Sequence, residues 1–189
     1  MPELTPSELL QLHEISMACA NQVEKMSAFL NFVQDPELES LVYHQRQKAE
    51  SHYQELIDLG RGATTDRRFE RLDGGLPNRN PDGAARRQGA VRPERDRGIH
   101  DRTIVGDMLQ CSKMMAVRAV WSATEVSHVG LRRALSEISR YYLDAAYEVY
   151  RYMERQGWYI PLAPGEKADN WFRDTHQPMR ADTAETLYS

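Results

Sequence analysis

LRRALSEISRYYLDAAYEVYRYMERQGWYIP, residues 131–161, is the stretch whose reading decides the fold. Leu131, Leu135, Ile138, Tyr142, Ala145, Val149 and Tyr152 recur at steps of four and three, which puts them on one face of a long helix. The pattern halts at Gly157. Arg151 and Arg155 stand in the last turns, where positive charge suits the carbonyl end of the helix dipole, and Pro161 bars any continuation. A helix over 131–156 with one apolar face needs other helices to cover it.

The chain supplies three more. Just upstream, Asp101 is expected to cap a helix whose inner face is Ile104, Val105, Met108, Leu109, Cys111, Met115, Ala116, Ala119, Val120 and Ala123, ending near Gly130. At the start, Thr5-Pro6-Ser7-Glu8 has the form of a capping box with Pro at the first helical position. The helix it opens keeps Leu9, Leu12, Ile15, Cys19, Val23, Met26, Leu30 and Val33 on one side. Asp35-Pro36 begins the next helix, with Leu38, Val42, Gln45, Ala49, His52, Leu56 and Leu59 facing one way before Gly60. Gln45 and His52 interrupt that stripe and require hydrogen-bonding partners or a wet seam.

Short joins make residues 5–59 and 101–156 two antiparallel hairpins. Between them, residues 60–100 are dense in Gly, Pro, Arg and Asp and poor in large apolar side chains, the composition of a flexible linker, with a short helical turn around Arg67 to Leu72. Residues 157–189 read as an aromatic loop and tail, in which Trp158, Tyr159, Trp171 and Phe172 fold back or meet a neighbour. The predicted fold is all-α: an antiparallel four-helix bundle of two helical hairpins with one long crossover, the ferritin-like arrangement if the second and third helices run parallel.

Charge and composition exclude several classes. The net charge of −4 argues against non-specific binding to nucleic acid or anionic membranes. Ten arginines against six acids between Arg61 and Gly98 could form a nucleic-acid arm or a dock for an acidic partner, but the interspersed acids suit a solvated linker better. Cys19 and Cys111 are far apart and match no zinc spacing, so both are expected as buried free thiols. An acidic start and the lack of a long apolar run predict a soluble, cytoplasmically made protein.

The segment DRTIVGDMLQCSKMMAVRAVWSATEVSHVGLRRAL followed by YMERQGWYIPL resembles the Coat F family of spore coat proteins, most recognisably in Arg155-Gln156-Gly157-Trp158-Tyr159 with Pro161. Leu12-His13-Glu14 and the turn Gln34-Asp35-Pro36-Glu37-Leu38 are similar to the same family. The resemblance implies a ferritin-like bundle made in the mother-cell cytoplasm for the layers around the spore. It further implies other coat proteins and further copies of the chain as partners, with no assigned reaction and no cofactor.

A ferritin-like bundle raises the alternative of a di-iron or di-manganese protein with oxidase or peroxide-detoxifying activity, which needs inward carboxylates and Glu-x-x-His pairs. The chain offers one such pair, Glu125 with His128, in what is read as the last turn of the third helix, together with His52. Glu14 and Glu24 point away from the apolar stripe. Where relatives that look metal-capable carry acids and a histidine, this sequence has Tyr141-Tyr142-Leu143. His13-Glu14 begins like a zinc-protease helix, but Met17 stands where the second histidine belongs. No catalytic residues are therefore assigned. Tyr147, Tyr150, Trp158 and Tyr159 are the candidate interaction residues, Tyr147 and Tyr150 as surface aromatics for self-association or oxidative cross-linking.

Overall fold

Thr5 opens the first helix as its sequence predicts, the hydroxyl accepting from the Glu8 amide while the Glu8 carboxylate accepts from the Thr5 amide. A computed structural model describes residues 4–62 and 98–159. Within them lie α1 (Pro6–Phe29), α2 (Pro36–Gly60), α3 (Asp101–Glu125) and α4 (Val129–Arg155), each about 36–40 Å long at 1.5 Å per residue. Most of the expected linker, residues 63–97 with the turn around Arg67, and the tail from 160, with Trp171 and Phe172, lie outside the described residues.

Side-chain contacts fix the topology. Arg118 pairs with Glu14, Ser122 Oγ donates to Gln11 Oε1 at 2.7 Å, and Lys25 meets Asp107 at 2.8 Å, so α1 and α3 run antiparallel. Arg155 pairs with Glu37 and Gln45 Nε2 reaches the Ala145 carbonyl, so α2 and α4 are antiparallel too. It follows that α2 and α3 are parallel, and that residues 62 and 98 lie at opposite ends of the bundle. This is the single-crossover, ferritin-like order.

The apolar stripes meet along the axis. In α2 the seven expected residues, Gln45 and His52 included, are the buried ones. In α4 the whole expected stripe is buried, joined by Ala134, Ser139, Tyr141, Ala146 and Met153. Ser139 Oγ donates to the Ala116 carbonyl at 2.8 Å, a bond that small side chains on α3 permit by letting the backbones approach. Each fully buried Leu or Ile of this core contributes about 1.5–3 kcal/mol.

Some expectations are corrected. α1 ends at Phe29, short of Val33; Leu9 is exposed and Gln22 is buried where Val23 was expected. On α3, Ser112 and Ser122 take inner positions, while Val120 is exposed and Cys111 only half-buried. The periodic reading favours apolar residues, whereas Ser122 is drawn inward by its hydrogen bond to Gln11 of α1. α3 ends at Glu125 rather than near Gly130, which belongs to α4.

Asp101 does not cap α3: His100 is the residue before the helix and caps nothing with its side chain. Instead the Asp101 carboxylate accepts from the backbone amides of Gln34 and Asp35 at 2.9 and 3.0 Å, in the turn between α1 and α2. Glu8 mirrors this at the other end, accepting from the amides of Ser127 and His128 at 2.7 and 2.8 Å and from the Ser127 hydroxyl. Each hairpin thus sends one carboxylate into the loop of the other. The Thr5 amide first, then that of His128, outweigh burial and hold the Glu8 carboxyl at about 2, against an ordinary 4.5.

Candidate functional site

The core is apolar at both ends and polar between. One cluster runs from Leu12, Ile15 and Leu56 to Leu131 and Ile138, the other from Met26, Leu38 and Val42 to Val149 and Tyr152. Between them lie Gln22 of α1, Gln45 of α2 and Ser112 of α3, all nearly inaccessible. Tyr142 donates its hydroxyl to Gln22 Oε1, and Gln45 Nε2 points at the Ala145 carbonyl 3.5 Å away. Gln22 Nε2, Gln45 Oε1 and Ser112 Oγ have no hydrogen-bond partner among the described residues.

Two turns along α2 from Gln45, His52 is wedged among aromatic rings, 5.0 Å from Tyr141 edge-on and 5.8 Å from Tyr142. Burial first, and the nearby Lys48 charge second, push its imidazole down to about 4 from 6.5, so it stays neutral near pH 7. Burial likewise drives the Tyr141 and Tyr142 hydroxyls upward.

A ferritin-like bundle that holds a metal pair does so in its core, and the core donors present here do not fit one. The glutamines, Ser112, the phenols and one neutral imidazole carry no negative charge to balance two divalent cations. The other candidate ligands lie elsewhere. His128 caps α4, its Nδ1 accepting from the Leu131 amide, and Glu125 is exposed at the end of α3. Glu125 closes the last turn of α3, as expected, whereas His128 lies beyond that helix at the start of α4, about 20 Å along α4 from the tyrosines that contact His52. Among the described residues no group of three or more His, Cys, Asp and Glu could hold a metal ion.

The interaction candidates form a group at the end of α4. Tyr147, 45 % exposed, stacks on the half-buried Tyr150 at 6.0 Å, and Tyr159 meets Tyr150 edge-on at 5.3 Å with Lys113 over its ring. Trp158 packs on Tyr152, closing the core instead of facing outward. Gly157, at φ +69, turns the chain so that the Trp158 amide reaches the Met153 carbonyl.

Sequence reasoning missed a larger surface. Met114, Val117 and Trp121 are 68, 65 and 67 % exposed at steps of three and four on the outer side of α3. Their spacing is legible in the sequence as a second, outer stripe beside the inner one. Also missed was Lys25, whose Nζ lies 2.6 Å from Cys111 Sγ and 2.8 Å from Asp107 Oδ2. Burial opposes the Lys25 charge, but hydrogen bonds to Asp107 and Cys111 outweigh it and raise the pKa. Cys19, by contrast, is fully buried and its thiol is pushed up to about 12.

The protein is an all-α helical bundle, and comparison with known proteins narrows its class. Residues 100–163 match the Coat F domain, which bears out the resemblance over the second hairpin; the likeness read in the first hairpin lies outside the match. A crystal structure of a candidate spore coat protein from Bacillus halodurans superposes with a TM-score of 0.64 at 16 % identity, covering 86 % of this chain and 96 % of that one. At that identity the superposition speaks for the fold. No curated protein matches. Among the described residues no helix is long and apolar enough to cross a membrane. The Coat F match supports a component of the spore coat.

Proposed function

We propose that the protein is a structural component of the bacterial spore coat, made in the mother cell, which associates with copies of itself and with other coat proteins and catalyses no reaction. The observation that carries this reading is the exposed stripe Met114, Val117 and Trp121, which lies inside the segment matching the Coat F domain. Large apolar side chains aligned on one outer helix face mark association surfaces. Tyr147 and Tyr159 add a second exposed aromatic group near the end of α4.

Sedimentation velocity across a range of concentrations tests self-association. The wild-type chain should assemble and the Val117→Lys, Trp121→Lys double variant should not, with both keeping the same helical circular dichroism. A monomeric wild type, or a double variant that assembles equally well, would remove self-association from the reading. A tagged copy in sporulating cells should collect around the forespore; uniform fluorescence in the mother cell would count against the coat assignment.

A further inference from the structure

Lys25 and Cys111 come from different hairpins, 86 residues apart, yet their nitrogen and sulfur stand 2.6 Å from one another. That is below the 2.7–3.2 Å of ordinary N–H···O bonds, although sulfur is much the larger acceptor atom. It is a separation short enough for one bridging atom to join nitrogen and sulfur. Asp107, one turn before Cys111 on α3, holds the Lys25 nitrogen in place. The Lys25 and Asp107 side chains are 33 and 39 % exposed and Cys111 is half-buried, so small molecules in solvent can reach the pair. Nothing in the coat role described above uses this cluster.

We propose that Lys25 and Cys111 are a cross-linking pair, joined through a single oxygen atom into a nitrogen–oxygen–sulfur bridge that staples the first hairpin to the second under oxidising conditions. The oxidant is dioxygen. The Lys25 ammonium releases one proton to solvent to give the amine. Amine, thiol and dioxygen then yield the bridge and water: one N–H bond, the S–H bond and the O–O bond break, and an N–O and an O–S bond form. Nitrogen and sulfur each give up two electrons, dioxygen accepts all four, and its second oxygen leaves as water with the two released hydrogens. Two equivalents of a dithiol reverse the change, restoring amine, thiol and water.

The test uses the full chain, equilibrated with dioxygen or kept under dithiol, then denatured and analysed. Oxidised chains should lose one of their two titratable thiols, leaving Cys19, and should resist trypsin after Lys25. Accurate mass should show a gain of one oxygen and a loss of two hydrogens, mapped to linked peptides holding Lys25 and Cys111, all reversed by dithiol. Lys25→Arg keeps the charge beside Asp107 and should keep both thiols. Two thiols and normal cleavage after exposure to dioxygen would overturn the proposal. So would oxygen added to Cys111 without a link, a link that has gained no oxygen, or equal thiol loss in Lys25→Arg.

Discussion

Acidification from pH 7 to pH 5 should weaken this bundle through one residue, His52. Its imidazole titrates at about 4 in the folded chain against 6.5 when free, because burial among Tyr141 and Tyr142, with Lys48 nearby, disfavours the cation. A group whose proton affinity is lowered by folding binds more protons in the unfolded state between those limits, so stability rises with pH there. The contribution is fully present above pH 6.5 and is lost as pH falls toward 4. Each pH unit inside the window is worth about 1.4 kcal/mol, so a drop from pH 7 to 5 costs about 2 kcal/mol, and the whole window about 3 kcal/mol. For a bundle of this size 2 kcal/mol corresponds to about 8 °C in Tm. Urea unfolding of the wild type and of His52→Gln at pH 7, 6 and 5 measures the effect. Whatever the substitution itself costs, the variant should have the shallower slope. Equal slopes, or an imidazole that titrates near 6.5 by NMR in the folded chain, would refute the reasoning.

Three further outcomes follow from the buried polar contacts. Glu8, held at about 2 from 4.5, contributes stability that is present above pH 4.5 and lost as pH falls toward 2, so Glu8→Gln should flatten acid unfolding in that window, most of which lies below that of His52. Asp101→Ala removes the acceptor for two backbone amides and should cost about 2 kcal/mol, with faster hydrogen exchange at Gln34 and Asp35 and none at Ser127. Tyr142→Phe strands Gln22 Oε1 in the core and should cost about 1–3 kcal/mol in denaturant unfolding, unless Gln22 is changed to Leu in the same chain.

Helix existence, order and most of the buried faces could be read from periodicity, because α2 and α4 each bury one unbroken stripe at helical spacing. Periodicity failed where polar side chains are buried for reasons outside their own helix. Gln22 is inward because Tyr142 of α4 needs an acceptor, and Glu8 because the α3–α4 turn presents two amides. Asp101 looked like a cap since caps are local, yet its partners are 66 and 67 residues away. The centre of α4 holds Tyr141, Tyr142 and Leu143, of which the two tyrosines are buried and Leu143 faces solvent, a split that the three-residue run alone does not reveal. Exposed Met114, Val117 and Trp121 went unnoticed because a helix with two apolar faces reads as one broad inner face.

The crossed carboxylates of Glu8 and Asp101 have a bearing on how such a chain can drift in sequence. Both reach main-chain amides, at positions 34, 35, 127 and 128, which every residue except proline possesses. Loop composition is therefore loosely constrained by the docking of the hairpins, while loop length is tightly constrained. One residue inserted before Gln34 or before Ser127 would carry the amides past their acceptor, whereas a change of side chain at Gln34 would leave them in place.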